Sequence, residues 1–202
     1  MGRVLYYVHD PMCSWCWGFN KAWATVQSQL PNTIEVRYIL GGLAPDSHEP
    51  MEERLQKIIS AGWYKIQGRI PGTEFNHDFW TLCKPRRSTY ASSRAVIAAK
   101  LLDENAEKRM LLAIQHAYYL QAKNPADDDV LIDCAASIGL NKQAFTDSFK
   151  SEAVQQQLLA DIKFARSLGV SSFPSLVLEC AGSYQQLTYD YNDPQVLLKQ
   201  LS

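Results

Sequence analysis

Two cysteines, Cys13 and Cys16, are separated by Ser14 and Trp15 and stand between an apolar run and a helical stretch, a placement that constrains the chain more than any other feature. The run Val4-Leu5-Tyr6-Tyr7-Val8 is β-branched and aromatic, suits a buried strand, and is broken by His9-Asp10-Pro11. Past the cysteines, Trp15, Phe19, Ala22, Trp23, Val26 and Leu30 recur at three- and four-residue steps, the period of a helix with one apolar face, and Pro31-Asn32 ends it. Ile34 to Leu40 then alternates as a second strand before Gly41-Gly42. The opening therefore reads β-α-β, with the cysteine pair at the mouth of its helix.

That position has chemical consequences. Residues three apart at a helix start share a face, so the two sulfurs can close a small disulfide ring, and the first meets the positive end of the helix. A free thiol titrates at roughly 8.5, and a helix N-terminus within Cys-x-x-Cys lowers this into the range of roughly 3.5 to 7.5. Cys13 is thus expected to be the attacking thiolate. Cys16, one turn inside and more covered, is expected to resolve the mixed disulfide that Cys13 forms. Ser14 and Trp15 control access and the donors reaching the Cys13 sulfur, which sets oxidising strength.

A Cys-x-x-Cys can also be half of a zinc site. Structural zinc needs four close ligands, and Cys83, Cys134 and Cys180 are isolated from one another and from His9, His48, His77 and His116, so no metal is expected. Cys134, amid Leu131, Ile132, Ala135 and Ala136, reads as buried; Cys83, beside Lys84, Arg86 and Arg87, is the one of the three best suited to a regulatory disulfide. A Cys-x-x-Cys beside a βαβ pattern is the sign of a thioredoxin-like redox site.

Far downstream, Gly169-Val170-Ser171-Ser172-Phe173-Pro174-Ser175-Leu176-Val177-Leu178 ends a helix and starts a strand through a proline. In a thioredoxin-like site this Phe173-Pro174 peptide is cis and faces the cysteines, leaving the Phe173 backbone free to pair with an extended substrate. His9 and Asp10, just before the motif, are candidates to tune Cys13 or pass protons, His9 because imidazole titrates near neutrality.

Three segments, Asp10 to Gly18, Gly41-Gly42-Leu43, and Gly169-Val170 with Phe173 to Leu176, resemble the DsbA-like branch of the thioredoxin superfamily, and most closely its FrnE-like members. The resemblance implies an α/β thioredoxin-like fold with an inserted α-helical domain. It further implies dithiol-disulfide exchange with other proteins, with Cys13 as nucleophile, Cys16 as resolving thiol and Pro174 as the cis-proline. Secreted DsbA proteins usually carry Pro-His between the cysteines; this chain has Ser-Trp, so strong oxidising power is not carried over.

The core is expected at 1–48 and 151–202, with the helical insertion at 49–150. Within it, Met51 to Gln67, Tyr90 to Glu104, Ala106 to Ala122, Asp129 to Gly139 and Lys142 to Phe149 show helical apolar spacing, with Ser88, Asp129 and Asn141 as N-caps. The loop Leu43 to Pro50 and the aromatics Trp63, Tyr64, Phe75, Phe79 and Trp80 are candidates for a substrate groove. Glu152 to Leu168 reads as a return helix, Ser175 to Glu179 and Tyr184 to Tyr189 as a hairpin, and Pro194 to Leu201 as a terminal helix.

At 202 residues and 47% hydrophobic content the chain can bury a core plus an accessory domain. A net charge of −1 offers no basic footprint for nucleic acid, and no apolar run approaches the roughly 20 residues of a bilayer span. The first residues lack the pattern of a secretory leader, which favours the cytoplasm, where disulfide reduction or isomerisation is the expected task. The expected partners are protein or peptide thiols and disulfides, with glutathione or thioredoxin as reductant and no bound cofactor beyond the Cys13–Cys16 disulfide. Two rivals come from other classes. A glutathione-dependent transferase or isomerase of the kappa or 2-hydroxychromene-2-carboxylate isomerase type shares the architecture but carries serine where Cys13 stands; a non-catalytic peptide-binding or chaperone module would use only the groove.

Overall fold

The computed structural model describes residues 2–201; residues 1 and 202, the outer ends of the expected core segments, lie outside it. Four strands, β1 (Arg3–His9), β2 (Ile34–Leu40), β3 (Ser175–Cys180) and β4 (Ser183–Leu187), form one sheet in the order β2-β1-β3-β4. β1 runs parallel to β2, with Arg3 opposite Ile34, and antiparallel to β3, with Val8 opposite Ser175. The C-terminal end of β1, which leads into the cysteines, therefore lies beside the start of β3, which follows Pro174. Sheet register alone brings two segments some 160 residues apart to one edge.

Alternation along β1 sorts its side chains between two helical layers. Leu5 and Tyr7 face α1 (Ser14–Gln29), packing with Phe19, Trp23 and Val26, and α9 (Gln195–Leu198) adds Leu197 to this side. Tyr6 and Val8 face the opposite layer, where Ala165 of α8 (Glu152–Ser167), Val170 and Val177 complete the core. A one-residue slip would exchange the two sets, so two covered faces hold the register firmly.

Between β2 and α8 the chain forms α2 (Glu53–Arg69), α3 (Phe79–Leu82), α4 (Tyr90–Leu102), α5 (Ala106–Tyr119), α6 (Asp128–Ser137) and α7 (Lys142–Phe149). These helices are joined to the sheet by shared cores. Ala95, Met110, Leu131 and Phe145 pack in one cluster with Leu158 and Ile162 of α8 and Leu40 of β2. Each such large side chain, fully buried, contributes about 1.5–3 kcal/mol. A second cluster joins Trp63, Phe75, Phe79, Tyr118 and Tyr119 to Trp15 and Trp17 of α1.

This second cluster corrects the expected groove. Trp63, Phe75 and Phe79 are buried, Trp80 packs against them, and Tyr64 is exposed and stacked on His77 at 3.9 Å. Apart from Tyr64, these aromatics form core. Two caps also differ: Ser88 accepts from the Ser47 amide while Thr89 occupies the start of α4, and Asp129 lies inside the first turn of α6, whose cap position is Asp127. Asn141 does cap α7, through its side chain and the Ala144 amide, and Ser151 caps α8 in the same way from Val154.

Candidate active site

Cys13 is the N-cap of α1, with extended backbone (φ −81°, ψ 112°), its carbonyl already accepting from the Trp17 amide at 3.1 Å. The unpaired amides of the first turn surround this position, so its side chain sits at the positive end of the helix. The loop before it is held by Asp10, whose carbonyl accepts from the Cys13 amide at 3.1 Å. The Asp10 carboxylate is wholly buried and accepts from the Met12 amide (2.9 Å), the Leu43 amide (2.8 Å) and the Thr89 hydroxyl (2.7 Å). One side chain thereby ties β1, the loop after β2 and the entry to α4 together. Burial raises its titration above the ordinary carboxylate range, opposed by those three donors.

The Cys13 thiol donates to the Phe173 carbonyl at 3.4 Å, and the Phe173–Pro174 peptide is cis. Phe173 is seated against Gly41: a Cβ on Gly41 would fall 2.0 Å from its ring, so only glycine fits there. Tyr189 donates its hydroxyl to the Pro174 carbonyl at 2.9 Å, holding the next peptide from the far side. Cys16 lies one turn along α1 with no exposed surface, and burial together with the neighbouring Cys13 sulfur pushes its thiol well above the usual range. Both cysteines carry free thiols.

Cys13 opens into a groove of about 500 Å³. Ser14 and Trp15 line it at the helix start, Phe173 at the proline loop, and Leu43, Met51, Ile58 and Ile59 on the helical side. Trp15 is also packed against Tyr191 at 5.2 Å, with the Arg69 guanidinium 5.7 Å over its ring. Cys13, Cys16, Phe173, Pro174, Ser14 and Trp15 therefore come together at one edge of the sheet.

His9 does not join them in the expected role. Its ring is buried, stacked on Tyr7 at 5.2 Å and edge-on to Tyr38 at 5.5 Å, and neither ring nitrogen has a hydrogen-bond partner among the described residues. Burial lowers its pKa to about 3, so at neutral pH it brings no charge to the cysteines. Cys83 also departs from expectation. It is half-buried, donates to the Ala122 carbonyl at 3.0 Å, and burial raises its thiol, while Arg86 turns to Asp127 at 2.6 Å. Tyr189, Thr89 and the groove cations Lys65 and Arg87 carry no local sequence signal. Lys65 and Arg87 are ordinary surface residues until the fold sets them beside Cys13. No cluster of metal-binding side chains occurs among the described residues, and no helix is long and apolar enough to cross a membrane.

The mixed four-stranded sheet, its covering helices and the helical insertion define a thioredoxin-like protein of DsbA-like architecture. A thioredoxin family model matches residues 6–189, and the chain belongs to that family. Among solved structures it superposes on a candidate protein disulfide isomerase from Nitrosomonas europaea with TM-score 0.86 and 26% identity, covering 100% of this chain and 96% of that one. DsbM of Pseudomonas aeruginosa, described as a cytosolic disulfide reductase, matches with TM-score 0.76 and 25% identity over 92% of this chain and 89% of its own. A structure of DsbM has also been determined with GSH. Among curated proteins, the ClpXP adapter protein SpxH of Halalkalibacterium halodurans is 26% identical, covering 86% of this chain and 57% of the relative. SpxH of Bacillus subtilis is 24% identical over 92% of this chain and 64% of its own length. The chain thus spans less than two thirds of those curated relatives.

Proposed function

We propose that this protein is a thiol-disulfide oxidoreductase acting on protein or peptide substrates, with Cys13 as nucleophile and Cys16 as resolving thiol. The observation that carries the reading is the Cys13 sulfur at a helix N-terminus, 3.4 Å from the Phe173 carbonyl and facing an open groove, with a fully buried second thiol one turn behind it. In the reducing direction the Cys13 thiolate attacks one sulfur of a substrate disulfide. The S–S bond breaks, the leaving sulfur takes a proton, and a Cys13–substrate mixed disulfide forms. Cys16 then loses its proton and attacks the Cys13 sulfur, releasing the second substrate thiolate. The substrate gains two electrons and Cys13–Cys16 becomes a disulfide, which two thiols such as glutathione, or a dithiol such as thioredoxin, return to the reduced state. The raised titration of Cys16 fits this order, because it stays protonated until Cys13 is engaged. An extended substrate strand is expected to pair with the Phe173 backbone. Isomerisation follows when the mixed disulfide is resolved by another substrate thiol.

We assign the chain to the FrnE-like group on Asp10 to Gly18, and to a cytosolic setting supported by its likeness to DsbM. A kappa-type transferase would need only the position of Cys13, and the second sulfur behind it favours exchange. A second reading has its own support: the curated relatives are ClpXP adapters, and a partner held in the groove without turnover would suit such a role. Insulin reduction separates the readings. The intact protein is expected to reduce insulin with glutathione or thioredoxin as electron source, and Cys13→Ser to lose this activity. Wild-type protein without insulin reduction that still retains a bound polypeptide would favour the adapter, and conjugation of glutathione to a small electrophile would favour the transferase.

A further inference from the structure

The groove at Cys13 is charged in one sense only. Lys65 of α2 and Arg86 and Arg87 before α4 line it, and no aspartate or glutamate does, in a chain whose net charge is −1. Arg86 is committed to Asp127 and to the Ala126 carbonyl. Lys65 and Arg87 are exposed and have neither an ion pair nor a hydrogen bond among the described residues, although the charge of Arg87 reaches Asp10. Beside them the wall is apolar, and Ile58 is an exposed large hydrophobic residue. Cations left unpaired around a reactive thiol attract an anionic partner and repel a cationic one, and such complementarity acts on encounter rate and selectivity.

We propose that the groove selects polypeptide segments in which an acidic residue lies within about three positions of the reacting cysteine, its carboxylate meeting Lys65 and Arg87 while the segment pairs with the Phe173 backbone. The spacing follows from reach. An extended chain advances about 3.3 Å per residue, so three residues span about 10 Å, roughly the distance over which exposed charges interact at 0.1 M salt. The proposal rests on the redox reading of Cys13 and names the substrate class of that site.

The test compares three disulfides with the reduced, intact protein: a peptide whose cysteine is flanked by glutamates, the same peptide with lysines, and neutral bis(2-hydroxyethyl) disulfide. The acidic peptide is expected to exchange about fivefold faster than the basic one at low salt, two exposed ion pairs being worth about that much, with the preference largely lost at 0.5 M sodium chloride. Lys65→Glu with Arg87→Glu is expected to invert the ratio. Should that variant fail to fold, the salt dependence of the wild-type ratio decides alone. Equal rates for the two peptides, with normal exchange of the neutral disulfide, overturn the proposal and leave the redox reading standing. No exchange with any of the three overturns both.

Discussion

Cys13 and Cys134 are equally buried, each 6% exposed, and each donates its thiol to a backbone carbonyl, of Phe173 at 3.4 Å and of Ala113 at 3.6 Å. Each also lines a cavity of similar size, about 500 Å³ at Cys13 and about 550 Å³ between α5 and α6 at Cys134. What differs is the place on the helix. Cys13 is the N-cap of α1, beside first-turn amides that have no partner within the helix, and it has a second thiol one turn on. Cys134 is inside α6, where every nearby amide is already spent, and burial pushes its thiol up to about 11. Exposure alone therefore does not separate the two cysteines; helix position and a neighbouring sulfur do.

The comparison can be broken most easily by labelling. With limiting iodoacetamide at pH 7, peptide mapping is expected to find Cys13 alkylated at least about a hundredfold faster than Cys134, the thiolate being the reactive form. Equal rates would remove the distinction drawn from helix position. Next in size is Gly41→Val. Its side chain would collide with the Phe173 ring, shifting the carbonyl that Cys13 meets. The rate of disulfide exchange is expected to fall by about a hundredfold, the scale of a displacement near 1 Å. Stability, followed by urea denaturation, should fall by about 1–3 kcal/mol from overpacking. The corresponding insertion next to Cys134, Ala135→Val, should cost stability without slowing exchange.

A further test concerns pH. His9 stays neutral when folded down to about pH 3, whereas in the unfolded chain it takes a proton near 6.5. The unfolded state therefore binds more protons between those values, and stability is full above about 6.5 and lost as pH falls toward 3, by about 1.4 kcal/mol per pH unit. Asp10 and Asp161, raised by burial, act in the opposite sense, so the difference between wild type and His9→Phe isolates the histidine. Urea midpoints measured from pH 7 to 4 are expected to fall less steeply in His9→Phe; parallel curves would show that His9 is not held neutral.

The strands and helices next to the cysteines were legible because their signals are local. Ile34–Leu40 and Lys142–Phe149 begin and end where alternation, helical spacing and an asparagine cap place them. The short α3 was missed, since four residues, Phe79–Leu82, are too few to show a period. At the site, Cys13 and Pro174 stand out through motif and turn chemistry, whereas Tyr189 reaches the Pro174 carbonyl only through the β3–β4 hairpin. The error at His9 has the same origin. Its sequence neighbours suggest a proton shuttle, but the alternation of β1 turns it to the side of Tyr7, between aromatic rings and away from donors.

The most direct test of the account is mass spectrometry of Cys16→Ser after exposure to a peptide disulfide. One peptide should become linked to each protein molecule through Cys13, because the thiol that would release it has been removed. A protein that stays unmodified, or that carries the peptide on Cys134 instead, would contradict the assignment of attack to Cys13 and release to Cys16.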